Sequence, residues 1–388
     1  RKNIKRPSTL VRVLTDSNSL KRNIFNNMKY LDEKYKIYII GNDVEIFKKK
    51  CPNVSFINMK IKRRPSLFMD FLALLKLIYL FIKIKPDIVH SIMPKSGLLA
   101  AIAGFITRVP IRIHTFTGQV WATQTGLKKL LYLKLDGLVN SLNTICLADS
   151  YSQSIFLKQH KIAYKGDNLP VLNKGSVCGV DFDEVDKTLS RENINNIQSL
   201  KSKYKINKDD FVYTYIARKT KDKGAIDILK AFEKVCNDNQ DKNLKLFFFF
   251  FDEDEINISN FLKINIDKVI NIGSVDNHLQ FIFLTNVLCL PSYREGFGSI
   301  IIDAAAMKVP SLGYDIPGLQ DSICNNITGL LSKKGDIKSF SENMYRLYVD
   351  DELRGKMGHN AHSNAIQNYS AKVMSEYYCK FYEGLISS

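Results

Sequence analysis

At 388 residues the chain is too long for one typical core and fits two domains of about 180 residues each. An apolar content of 45%, with 20 glycines and 10 prolines, excludes a fibrous or disordered polymer. The formal charge of +17 is confined to the first half: residues 1–185 carry 30 Lys and Arg against 13 Asp and Glu, the remainder 26 against 26. Anionic lipid, a diphosphate-carrying lipid or nucleic acid is drawn to such a half.

In chain order, the opening Arg1-Lys2-Asn3-Ile4-Lys5-Arg6-Pro7 is basic, with no apolar run behind it long enough for a signal peptide. Short apolar runs at 11–14, 37–40, 54–57, 87–91, 111–116 and 144–149 read as strands. Helical stretches lie between them, including 67–84, 95–107 and 126–142. Apolar strands separated by helices mean a parallel sheet with both faces covered, a Rossmann-like α/β domain. The stretch 67–84 is interrupted by Asp70, Lys76 and Lys83 and falls short of about 20 uninterrupted apolar residues, so it does not read as a membrane span. A buried core helix is expected there. The sharper alternative is a helix lying in a bilayer interface, with Lys62, Arg63 and Arg64 at its start.

Between about 179 and 208 the sheet pattern stops, which sets the domains at 1–185 and 186–370, with 371–388 as a C-terminal helix. Asp181-Phe182-Asp183 matches the Asp-x-Asp of metal-dependent sugar transfer, but in a linker it reads as a turn or helix cap. The strand-helix alternation then resumes, with strands at 211–217, 244–251, 269–273, 287–291 and 309–313 and helices near 225–236, 277–285, 300–308 and 337–348. The acidic Asp252-Glu253-Asp254-Glu255 reads as a solvated loop at a strand's end. Seven scattered cysteines without a CxxC pair point to a reducing compartment and away from zinc.

Two segments of the second half carry chemistry. Tyr215-Ile216-Ala217-Arg218-Lys219-Thr220-Lys221-Asp222-Lys223-Gly224 leaves its strand at the sheet's binding edge. The forked guanidinium of Arg218 and the ammonium of Lys223 make a clamp for a diphosphate. Further on, Pro291-Ser292-Tyr293-Arg294-Glu295-Gly296-Phe297-Gly298-Ser299 breaks an apolar run and leads to a helix carrying Asp303. Free N–H groups at that helix start suit hydroxyls and phosphate oxygens. Glu295 and Asp303, eight apart, are spaced to hold one elongated ligand at two places, Asp303 about two turns into the helix.

Jointly these motifs resemble retaining glycosyltransferases of family 4, whose fold, called GT-B, has two facing Rossmann-like domains. Lys85-Pro86-Asp87-Ile88-Val89-His90-Ser91, Pro94-Lys95-Ser96-Gly97, Arg112-Ile113-His114-Thr115-Phe116-Thr117-Gly118-Gln119-Val120-Trp121, Leu147-Ala148-Asp149-Ser150 and Gly175-Ser176-Val177-Cys178-Gly179-Val180-Asp181 narrow the resemblance to bacterial enzymes building capsule, O-antigen or related surface glycans.

The resemblance implies a retaining, metal-independent transfer of a sugar from a nucleotide donor, UDP-linked, to a lipid-linked or glycan acceptor. No cofactor is implied, because the leaving phosphate takes the acceptor's proton. Arg218 and Lys223 would hold the diphosphate and Glu295 would face the donor sugar. The amides of Gly296, Phe297 and Gly298 would surround sugar and phosphates, and Asp303 would take the ribose. Gly273 and Ser299 join the donor set. Lys95, Gln119 and Trp121 are the acceptor candidates in the basic first domain. The C-terminal helix would cross back to that domain, and the enzyme would sit on the cytoplasmic face of an anionic membrane.

Three departures stand out. Asp303 replaces a Glu; Thr117 stands where relatives carry a His, leaving His114 as the nearby catalytic imidazole; and Ala217 replaces a Gly. Two rival readings remain. A sugar-nucleotide 2-epimerase shares the architecture, with His90 and His114 as its candidates. A non-catalytic basic membrane or nucleic-acid binder would explain the charge, although the aromatic-basic interleaving of single-strand binders is missing and nucleic acid is not the expected partner.

Overall fold

The computed structural model describes residues 7–62, 65–163, 166–190, 193–239, 243–249, 260–261, 265–273, 275 and 277–387. The acidic run Asp252–Glu255, and Arg63 and Arg64, lie outside the described residues. The chain divides into two compact units, residues 1–179 with 371–388, and 180–370.

The first unit runs β1 (Thr9–Asp16), α1 (Ser17–Asn23), α2 (Phe25–Leu31), β2 (Lys36–Asn42), β3 (Ser55–Asn58), α3 (Leu67–Ile84), β4 (Ile88–Ile92), α4 (Pro94–Ile106), β5 (Ile111–Phe116), α5 (Gly126–Leu142), β6 (Ile145–Ala148) and α6 (Tyr151–Gln159). Its six strands are ordered β3-β2-β1-β4-β5-β6, and every pair is parallel. Right-handed crossovers place α3, α4 and α5 on one face, because the chain reverses its direction across the sheet after β3. Side chains of alternate residues feed the two faces: Leu10, Ile37 and Ile39 pack on one, Val11, Val13 and Ile40 on the other with Ala73, Leu77 and Phe81 of α3.

The second unit runs α7 (Phe182–Leu189), α8 (Ile194–Lys203), β7 (Phe211–Tyr215), α9 (Ala225–Asn239), β8 (Leu244–Phe249), β9 (Val269–Ile272), α10 (Leu279–Phe283), β10 (Val287–Leu290), α11 (Ser299–Ala306), β11 (Ser311–Tyr314), α12 (Leu319–Ser322), β12 (Gly329–Ser332), α13 (Ile337–Val349) and α14 (Asp351–Tyr369). Its order is β12-β11-β10-β7-β8-β9, again parallel. The central β7 and β10 are buried along their whole length, as their unbroken apolar runs require.

The first boundary falls at 179 rather than 185. Val180 bridges to Ser370, and Asp181 caps α7 by accepting the Asp183 amide at 3.1 Å, so this stretch belongs to the second unit. The final helix, α15 (Ala371–Ser387), rejoins the first unit. There the Tyr382 hydroxyl accepts from Arg12 at 3.0 Å, and Lys34 meets Glu383 at 3.0 Å. Helix α3 differs from the buried core helix expected: Ala73, Leu77, Leu80 and Phe81 are buried, while Leu67 is 93% and Phe68 71% exposed.

Candidate active site

In each sheet the strand order reverses between two adjacent strands, and loops leaving those strands depart to opposite faces. That switch point is where open α/β sheets bind ligands. In the second unit it lies between β7 and β10, whose ends carry the two segments singled out in the sequence. The segments are laced together: the Tyr293 amide donates to the Asp222 carbonyl at 2.9 Å. A Cβ on Gly224, whose φ is 72°, would come within 1.8 Å of the Pro291 carbonyl oxygen.

Asp222 ties the cations together. Its Oδ2 lies 2.8 Å from Arg294 and 3.6 Å from Arg218, while Thr220 donates to Oδ1 at 2.5 Å. Burial pushes this carboxyl up, but Arg294, Thr220, Arg218 and Lys223 more than offset that and hold it below its usual range. Lys223 reaches across the loops to Glu295 at 2.7 Å, the two side chains only 16% and 13% exposed. Burial lowers the Lys223 pKa, with Glu295 pulling it back up. Ser292 donates to the same Glu295 oxygen at 2.8 Å. Behind the loops, the hydroxyls of Tyr293 and Tyr314 both donate to Asp227 on α9, at 2.7 and 2.6 Å. Five charged side chains, Arg218, Asp222, Lys223, Arg294 and Glu295, are thus held on two loops with little freedom to lose on binding an anion.

Gly298 stands at the N-cap of α11 with φ 81°, so Ser299 opens the helix; Phe297 is buried against Tyr369. Phe297 therefore anchors the loop through its side chain, leaving only its backbone for a ligand. Asp303 is the fifth residue of α11, one turn in rather than two. Its Oδ2 lies 2.8 Å from Nε2 of His278, the residue before α10. The sequence reading missed His278, since a lone His beside a helix start carries no pattern. Gly273 follows β9, with open space where a Cβ would point.

The first unit's switch point lies between β1 and β4. Lys95, at the start of α4, pairs with Asp70 of α3 at 2.6 Å and donates to the Lys62 carbonyl at 2.6 Å. His114, Thr117, Gln119 and Asp136 share a water-sized pocket with Met93 and Pro94. His114 is buried, bonded through Nδ1 to Ser91 at 2.9 Å, and burial pushes its pKa down to about 3. It is a neutral imidazole, and Gly97 makes room for it: a Cβ there would lie 2.3 Å from the ring. Gln119 is buried against Gln153. Trp121 corrects the expectation of an acceptor contact. Fully buried, it stacks on Phe156 and donates to Asp136 at 2.7 Å, a core role. Asp136, which the sequence reading also missed, is pushed up to about 6 by burial.

His90 is equally buried, bonded to Tyr382 and Thr115 at 2.7 and 2.8 Å, which removes it as an exposed epimerase acid or base. All seven cysteines are free. No described helix is long and apolar enough to cross a membrane.

Two doubly wound units, one presenting clustered cations and carboxylates at its switch point, place the chain among the open-sheet α/β proteins that bind ligands at the carboxyl edge of a sheet. Residues 196–364 match the model of the group 1 glycosyl transferases, and residues 21–147 that of glycosyl transferase 4-like domains. Among curated proteins, a capsular polysaccharide biosynthesis glycosyltransferase of Staphylococcus aureus is 32% identical over 346 residues, 88% of this chain and 87% of the relative. An Escherichia coli UDP-Gal:alpha-D-GlcNAc-diphosphoundecaprenol alpha-1,3-galactosyltransferase is 24% identical over 319 residues, 79% and 78% of the two chains. The crystal structure of an Anabaena protein in complex with UDP and glucose superposes with a TM-score of 0.77 at 14% identity, covering 97% of this chain and 100% of that one. The chain belongs to the group 1, family-4-like glycosyltransferases of bacterial surface-glycan synthesis.

Proposed function

We propose that this glycosyltransferase moves a sugar from a UDP-linked donor to a polyprenyl-diphosphate-linked acceptor, with retention at the anomeric carbon and without a metal ion. The observation that carries the donor assignment is the Arg218–Asp222–Arg294 and Lys223–Glu295 cluster at the switch point. Three cations within two laced loops can take up the charge that develops on a departing diphosphate, the part a metal plays elsewhere. Asp181, the first half of the Asp-x-Asp match, spends its carboxylate on a helix cap.

The lipid-linked acceptor draws support from the charge of the first half and from the galactosyltransferase relative, whose name specifies a diphosphoundecaprenol acceptor. The cytoplasmic membrane face, where such acceptors present their head groups, is the proposed location. Retention rests on the family resemblance, and the anomeric configuration of the product by NMR tests it.

The donor test is thermal shift with UDP and UDP-sugars in EDTA. Melting should rise with donor concentration, and Arg218→Ala and Lys223→Ala should each lower sugar transfer by about 10²-fold or more. Binding and transfer that both require added Mn²⁺ or Mg²⁺, or near-wild-type activity in both variants, would overturn this reading.

A further inference from the structure

A helix that covers a sheet in water carries polar residues on its outer face. In the first unit this arrangement is inverted. On α3 the face opposite the core presents Leu67, Phe68 and Phe71 at 93%, 71% and 57% exposure. Helix α5 buries only Val139 and presents Leu127, Leu130 and Leu131 at 85%, 49% and 56%. Helix α4 packs between them in the same layer.

Taking the lipid-linked acceptor above as given, we propose that the α3–α4–α5 layer is a membrane-seating surface, with the first turns of α3 and α5 set among the headgroups of an anionic bilayer. Three observations select that occupant. The apolar side chains are interspersed with exposed Lys76 and Lys83 on α3 and Lys128 and Lys134 on α5, whose long stems let the ammonium reach phosphate while the stem lies on lipid. The unit formed by 1–179 and 371–388 carries 32 Lys and Arg against 12 Asp and Glu, the other unit 24 against 27. The structural division therefore concentrates the positive charge further than the sequence halves do. That charge attracts an anionic bilayer and repels a second copy of the same surface.

The topology supplies the third. Helices α3, α4 and α5 each begin at the edge where the strands end, because each follows a strand of a parallel sheet. The exposed apolar turns therefore lie at the edge that carries Lys95, His114 and Gln119, and the Lys95–Asp70 pair fastens α4 to α3 there. Seating on this layer brings the bilayer surface to the acceptor edge.

The test is co-sedimentation of the full chain with phosphatidylcholine vesicles, with and without phosphatidylglycerol. It compares wild type with Phe68→Ser/Phe71→Ser/Leu127→Ser/Leu131→Ser, four exposed positions whose change leaves the cores intact. Wild type should bind the anionic vesicles, more weakly as salt rises, and the variant should bind at least about tenfold less. The UDP-induced thermal shift should be the same in both, which reports an intact fold. Wild type that ignores anionic vesicles, or a variant that binds them equally, overturns the proposal. So does a wild-type dimer in sedimentation equilibrium that the variant dissolves without any vesicle binding in either. Vesicle binding as expected, with no sugar transferred to a polyprenyl-diphosphate acceptor, would sink the acceptor assignment and leave the surface standing.

Discussion

Asp303 and Glu295 are both carboxylates of the second unit's switch-point edge, yet their partners set them apart. Asp303 is oriented by His278, the residue before α10, whereas Glu295 is paired with Lys223 and bonded by Ser292. If Asp303 holds the ribose, Asp303→Ala should weaken UDP and UDP-sugars alike, by about 1–3 kcal/mol for lost charge-assisted hydrogen bonds. If Glu295 faces the donor sugar, Glu295→Ala should leave UDP affinity near wild type and cut transfer steeply, because UDP carries no sugar to lose that contact. His278→Ala should weaken UDP as well, and the His278/Asp303 double variant should lose less than the sum of the singles, since the two act as a unit. Calorimetric titration of UDP into the folded variants measures all of this. Loss of UDP by Glu295→Ala with retention by Asp303→Ala would reverse the orientation assigned to the nucleotide.

At the scale of elements, β5 and α5 are joined by the loop 117–125, which carries Gln119 and Trp121. Trp121 donates to Asp136 on α5 at 2.7 Å, and the loop's position depends on this bond. The half-buried Asp136 carboxyl is raised from 3.8 to about 6 by the desolvation it suffers, so the folded state holds its proton more tightly than the unfolded chain. Its stabilising contribution is complete below pH 3.8 and is lost as pH rises through about 6. Asp136→Asn keeps an oxygen for the indole N–H and removes the ionisation. Its melting temperature should therefore exceed wild type's at pH 8, with the advantage shrinking as pH falls below 6. A constant difference across that range would show that Asp136 stays neutral, or charges without cost, throughout.

For the molecule as a whole, the return of α15 to the first unit is fixed by a buried polar chain. Arg12 of β1 donates to Tyr382, Tyr382 bonds His90 of β4, and His90 bonds Thr115 of β5. The guanidinium also lies 5.6 Å from the Tyr378 ring centre. Burial holds His90 well below its usual pKa, so the chain is fastened by a neutral imidazole. Tyr382→Phe keeps the ring and removes the one hydroxyl shared by Arg12 and His90. It should cost about 1–3 kcal/mol of stability in urea unfolding, whereas truncation after 370 removes Tyr378 and Tyr382, exposes the first unit's core that they cover and should lower it much further. A neutral Tyr382→Phe would mean that water replaces the hydroxyl.

The sequence by itself determined the alternation of strands and helices, the two parallel α/β domains, the loops that carry Arg218, Lys223 and Glu295, and the helix that carries Asp303. Each is written in local periodicity or in a short motif, where the interacting residues are near neighbours along the chain. It did not determine α7, which lies in the stretch read as linker, because eight residues with two buried positions leave too little apolar pattern to read. The partners of His114, Trp121, Asp303 and Arg12 were decided by tertiary structure alone. Arg12 meets a tyrosine 370 residues away, and no window of sequence holds both. The same holds for α3: an apolar run states that its residues avoid water, but only the packed sheet shows that a single face of the helix is covered. Burial is a property of what surrounds a side chain, and the surroundings are assembled from every part of the fold.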